Sequence, residues 1–341
     1  MPSRFLALLI SCPLMLLTAC GNGHGLNMAL GWKAEIITEW DDFLPDMLVL
    51  SDDGRFLFAS CETRANMLSP SLARIDLTTG TADILLYGLE RADGLKLDQG
   101  GSLWLGEESS DGLIWKVPDP HAFPAGQRID RVRLTRSNST VTPVLEAGRF
   151  AHEGLSFSRN GTYLYLADEW IEGCLYRLSL QSWQLQVLHK SSGWLDINRT
   201  EEARLYAEKR HGRIFRRLED MEMLPDGRIL LAETGAGAEA GRILVLDDRG
   251  VAPAISVFLE DARLHHPDNL EWDSKRNWLW ITDDDEPSAL WVWNGKDLQR
   301  IAMHDHAEIT GVESATNGDI YINLQHRRFG SDLTLRLIRT H

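Results

Sequence analysis

The sequence predicts an all-β fold, a six-bladed β-propeller with a short helical insertion between blades three and four, on three observations. Six segments share one outline: an acid, an alternating apolar stretch, a polar turn that usually holds glycine, a second alternating stretch, then polar residues. Alternation such as Tyr163-Leu164-Tyr165-Leu166 has the period of two of a half-buried strand, and turns such as Asn160-Gly161 and Asp226-Gly227 suit tight hairpins. The units lie about 40–65 residues apart, room for three or four short antiparallel strands each. A β-sandwich would accommodate the strands but not the evenness of their spacing.

Along the chain, residues 1–19 read as a signal peptide, with Arg4 ahead of an apolar run. Leu17-Thr18-Ala19-Cys20-Gly21 resembles a bacterial lipobox, whose cysteine becomes the lipidated first residue. Residues 20–35 are then expected to be a lipidated linker and 36–341 a single propeller domain. Gly21 in place of an aspartate favours the outer membrane, with the protein facing the periplasm of a bacterial cell envelope. Beyond about residue 30 no apolar run is long enough to span a bilayer. The repeated units start at Asp46, Asp93, Glu153, Glu219, Asp268 and Thr310. Several run on into a third strand, at 112–117, 174–178, 241–246 and 289–293. Residues 118–147 read as a long loop, and 200–215, opening on Thr-Glu-Glu, as the one helical segment. Cys61 and Cys174 either pair or remain as free thiols; their spacing does not choose.

The chain carries 50 acids against 35 bases, a formal charge of -15, which argues against nucleic acid as a partner. The acids are also in register. With Gly54, Gly100, Gly161, Gly227, Arg276 and Gly318 taken as turn residues, Asp46, Asp93, Glu153, Glu219 and Asp268 stand eight positions earlier, and Thr310 fills the sixth place. Eight positions later stand Glu62, Glu108, Glu169, Gly235, Asp284 and His326. If the first strand of each unit faces the propeller axis, this ring converges on one mouth of the channel. Converging carboxylates repel, and an oxygen-only donor set suits a hard cation such as Ca²⁺ or Mg²⁺.

Four stretches resemble the PhoX-type alkaline phosphatases. They are residues 102–120 (SLWLGEESSDGLIWKVPDP), 148–157 (GRFAHEGLSF), 215–235 (FRRLEDMEMLPDGRILLAETG), and the closing pair 267–273 and 310–326. The resemblance implies a calcium-dependent phosphatase propeller in which Glu153 and Glu219 ligate metal, Glu107 and Glu108 lie beside them, and Asp268 is a further ligand or shaping acid. It implies that Arg217 holds the substrate phosphate. His152 is expected to face away from the metal, and His326 to orient a ligand or cap a strand. The family's iron-ligating cysteine corresponds here to Gly106, which has no ligand atom, so calcium is expected and iron is not, unless Cys61-Glu62, the same dipeptide one blade earlier, takes that place in a second register. The leading expectation is a phosphoester hydrolase acting on a small molecule. The rivals are a calcium-dependent lactonase or esterase, and a non-catalytic propeller that binds a ligand or protein, with its twelve Trp as contact surface or as packing between blades.

Overall fold

The computed structural model describes residues 23–64, 68–131, 141–235 and 239–340; the signal segment and Cys20 lie outside them. Six sheets, antiparallel but for one two-residue edge strand, form a ring. Their innermost strands are Pro45–Leu50, Ala92–Leu97, His152–Phe157, Leu218–Met223, Pro267–Asp273 and Glu308–Ser314, in blades one to six. Each pairs with a second strand across the turn that the sequence marks, for example Tyr163–Asp168 in blade three and Trp278–Asp283 in blade five.

The ring closes between the ends of the described chain. Trp32–Trp40 is the outermost strand of blade six, paired with Asp332–Arg339, and Trp40 Nε1 donates to Thr334 Oγ1 at 2.9 Å. Asn27–Met28 adds an edge to blade five. The segment expected as a linker up to residue 35 is therefore in part strand, because the propeller needs it to complete a sheet. Residues 118–147 are likewise less irregular than expected: Thr142–Val144 is the fourth strand of blade two, and Gln127–Arg128 runs parallel to Thr81–Tyr87 of blade one. The helix is confined to Ala203–Lys209, preceded by a 3-10 turn at Thr200–Glu202, and the end of the segment returns to strand at Ile214–Phe215.

Six apolar clusters hold the ring, one in each interface between neighbouring blades. Trp40, Trp104, Trp115, Trp280 and Trp291, five of the twelve tryptophans, are buried in them and so serve packing between blades, whereas Trp170 and Trp183 are exposed. Cys61 and Cys174 are free and buried in different blades, each thiol pushed up to about 12 by burial.

Candidate metal centre at the channel mouth

Each of the first five innermost strands breaks its ladder at the same point. In blade three His152 pairs with Asp168 and Leu155 with Leu166, so Glu153 and Gly154 share the span opposite Ala167. The same irregularity falls at Asp46-Met47, Asp93-Gly94, Glu219-Asp220 and Asp268-Asn269. A bulge re-aims a side chain. Here it turns the first residue of each pair, always an acid, into the axial cavity.

The second residue of each pair joins the next blade. A Cβ added to Gly94 would lie 1.7 Å from the Glu153 carbonyl oxygen, and one on Gly154 would lie 2.3 Å from that of Glu219. Glycine lets the neighbouring acid-bearing backbone close in. Where glycine is lacking, a side chain makes the join: Asp220 Oδ2 accepts from Leu270 N at 3.1 Å, and Asn269 Oδ1 from Gly311 N at 2.5 Å. Blade six departs from the expected register. Its irregularity is a single residue, Gly311, and Thr310 turns away to donate its hydroxyl to the Pro45 carbonyl at 3.1 Å. Glu308, two residues earlier, is that blade's acid in the cavity.

The cavity has a volume of about 210 Å³ and is lined by ten carboxylates together with Arg91, Arg217, Thr234 and His326. The expected site residues Asp93, Glu108, Glu153, Glu219, Asp268 and Arg217 all line it. Glu107 does not: it is fully buried behind the wall, where it accepts from Glu90 N and Leu113 N and pairs with Arg131 at 2.9 Å. His152 also faces away, with Nε2 at 3.2 Å from the Gly148 carbonyl.

Two groups of three carboxylates stand out. Single oxygens from Asp93, Glu108 and Glu153 lie within 4.8 Å of one another, and so do those from Glu153, Glu219 and Asp268. Glu153 belongs to both. Asp93 Oδ1, Glu153 Oε2 and Glu219 Oε1 are buried without a hydrogen bond; Glu219 Oε1 lies 3.2 Å from Arg217 Nη2, outside hydrogen-bonding geometry. Buried carboxylate oxygens without a hydrogen bond are costly as they stand and satisfied by a cation. Burial, reinforced by mutual repulsion, pushes Asp93, Glu153 and Asp268 well above the usual carboxylate range. Burial and the adjacent Glu169 push Glu108 up to about 10, while burial offset by Arg217 leaves Glu219 at about 7. The donor set therefore fits a hard divalent cation.

A thiolate-bound iron does not fit. A Cβ on Gly106 would lie 2.4 Å from the His152 carbonyl oxygen, so a cysteine has no room there. Among the described residues no cysteine lines the cavity, and Cys61, the other candidate, accepts from Leu44 N at 3.2 Å inside blade one.

Arg91 was not legible as a site residue from the family-like stretches, yet register finds it. It stands two residues before Asp93, as Arg217 stands two before Glu219. The Arg91 guanidinium bridges Glu62 and Glu108; Arg217 Nε donates to Glu169 Oε1 at 2.8 Å. Both side chains keep 40% exposure, so both guanidiniums can be reached from the mouth.

These features define a six-bladed propeller with an acid-lined axial cavity and two guanidiniums at its rim. No family model matches the chain, and no curated protein matches it. Among solved structures it is similar to PhoX of Pseudomonas fluorescens in complex with vanadate, a transition state analogue, at a TM-score of 0.68 and 12% identity over 92% of this chain and 96% of that one. It is similar also to a gluconolactonase, XC5397 of Xanthomonas campestris, at a TM-score of 0.58 and 13% identity over 91% and 90% of the two chains. The PQQ-bound aldose sugar dehydrogenase of Streptomyces coelicolor follows at 0.57 and 13%, over 91% and 99%. At these identities the likeness establishes the fold, one shared by hydrolases and dehydrogenases.

Proposed function

We propose that this protein is a calcium-dependent phosphoester hydrolase, a PhoX-like phosphomonoesterase, anchored by lipid at Cys20 in the bacterial envelope and facing the periplasm from the outer membrane. The observation that carries the reading is the pairing of two reachable guanidiniums with two carboxylate triads that share Glu153. Ten carboxylates around one cavity repel an anionic substrate unless cations offset them. Calcium held by Asp93, Glu108, Glu153, Glu219 and Asp268 would supply Lewis-acid charge toward a phosphoryl oxygen.

The chain's own residues supply the rest. Arg91 enters from blade two and Arg217 from blade four, flanking the blade that carries Glu153. Each offers a planar fork of donors to phosphoryl oxygens, and each is pre-positioned by a carboxylate partner. Buried walls keep the local dielectric low, so these charges act strongly on charge that develops in the transition state.

A calcium-dependent lactonase or esterase is the second reading, supported by a cavity without a thiol ligand, which calls for calcium alone. The two arginines favour an anionic substrate over a neutral lactone. The test is to strip the purified protein with chelator, restore Ca²⁺, and assay an aryl phosphate beside an aryl ester and a lactone. Hydrolysis of the phosphate supports the first reading. Hydrolysis of the lactone or ester alone selects the second, and no turnover of any substrate leaves a binding propeller.

A further inference from the structure

We infer that residues 326–331 form a membrane-contact surface that seats the acidic mouth of the channel toward the phospholipid bilayer; the inference rests on the lipid anchor at Cys20 proposed above. It begins with where the N-terminal chain meets the fold. Gly23 O accepts a hydrogen bond from Arg327 Nη2 at 2.9 Å. The next residue, His24, is buried, and its Nδ1 accepts from Leu26 N at 3.1 Å, so the chain is already seated there. Cys20 precedes Gly23 by three residues, so even a fully extended chain keeps it within about 11 Å of Gly23. The acyl chains on Cys20 must therefore enter the bilayer beside Arg327.

What surrounds that point has the composition of an interfacial anchor. The loop between the strands Ile320–Gln325 and Asp332–Arg339 reads His-Arg-Arg-Phe-Gly-Ser. Phe329 is 74% exposed, and the Arg328 guanidinium lies 5.4 Å from its ring centroid. The loop is braced from below: Arg327 N donates to Asp332 Oδ1 at 3.0 Å, Arg327 Nη1 to Ser331 O at 2.5 Å, and Ser331 Oγ to Asp41 Oδ1 at 2.7 Å. An exposed aromatic ring on a braced, doubly basic loop fits the headgroup layer, where the ring enters the boundary and the cations meet lipid phosphates. A cavity of about 340 Å³ opens between tether and loop, bounded by Gly23, His304, Asp305, His306, Arg327, Arg328 and Phe329, where two arginines face one acid on a chain of net charge -15.

The same loop touches the metal-site cavity. His326 lines it, and the strand before the loop ends at the mouth, where Glu308 pairs with Gln325. Tether, basic loop and mouth thus share one end of the propeller. The hairpin turn at Asp52 lies at the other end, across the strand from Asp46.

The experiment uses full-length lipidated protein reconstituted into phosphatidylethanolamine–phosphatidylglycerol vesicles. A fluorophore is placed by Phe329→Cys, by Arg328→Cys, or, as the far-end control, by Asp52→Cys; the buried native thiols stay unlabelled. Lipids with a nitroxide headgroup should quench the labels at 328 and 329 at least fivefold more than the label at 52. Equal quenching, or stronger quenching at 52, overturns the inference. Intact mass reads the anchor separately: an unmodified Cys20 also overturns the inference and leaves the metal-site reading untouched.

Discussion

Arg91 and Arg217 occupy equivalent positions in blades two and four, each two residues ahead of a buried acid that lines the axial cavity, and both have left-handed backbones at φ 46° and 58°. The positive φ bends the chain as it enters the innermost strand and is uncommon for a residue with a Cβ. Its recurrence gives the two guanidiniums the same placement above different carboxylate triads.

Arg217→Ala and Arg91→Ala should each lower kcat/KM for an aryl phosphate by about 100- to 1,000-fold, the usual effect of losing one charged donor to a developing oxyanion. Arg→Lys at either position should recover part of that loss, because an ammonium keeps the charge but not the fork. Activity on a lactone should move by less than threefold. Steady-state kinetics on both substrates checks this, and equal losses on both would mean that the arginines shape the cavity and do not grip a phosphoryl group.

The metal-free protein should lose stability as pH rises from 5 to 9. Glu219 and Glu108 titrate near 7 and 10 in the fold but near the ordinary carboxylate value when unfolded, so between those values the folded state holds more protons. Stability must then fall with increasing pH. Calcium favours the ionised carboxylates, so adding it should raise the melting temperature more at pH 8 than at pH 5, with protons released on binding. Thermal melts with and without Ca²⁺ across this range read the slope; a chelated protein that grows more stable toward pH 9 would contradict the burial of these groups.

Gly154→Ala should destabilise the fold by about 1–3 kcal/mol or more, since the added methyl meets backbone and not a flexible side chain. Gly106→Cys should do the same without creating an iron site, because the His152 carbonyl occupies the space. Urea denaturation measures the first effect, and metal analysis after iron loading measures the second. Stoichiometric iron in a well-folded Gly106→Cys protein would show that the wall can yield.

Much of this was legible because the β-propeller writes its geometry into spacing. The offset of eight residues from each turn located Asp46, Asp93, Glu153, Glu219 and Asp268 on one side, and Glu62, Glu108, Glu169, Asp284 and His326 on the other; all ten line the cavity. Thr310 failed because blade six inserts Gly311 alone between the pairs Thr310 with Asn323 and Val312 with Ile322, so Thr310 stays in the ladder, where the other blades set two residues, the acid first, opposite one. The difference between Glu107 and Glu108 lay in which neighbour turns inward, a choice made by Arg131 and the backbone amides of Glu90 and Leu113, none of which the alternation of the strand records. Ring closure by Trp32–Trp40 was hidden because that strand has no turn partner of its own and pairs with the far end of the chain.

The central claim is that carboxylates from neighbouring blades meet around shared cations, with Glu153 common to both triads. Calcium titration by calorimetry of chelator-stripped protein tests it most directly. Wild type should bind two ions, Asp93→Asn and Asp268→Asn should each lose one, and Glu153→Gln should lose both, with circular dichroism confirming that the propeller remains folded. A wild-type protein that binds no calcium, or a Glu153→Gln protein that binds as wild type does, would contradict the account.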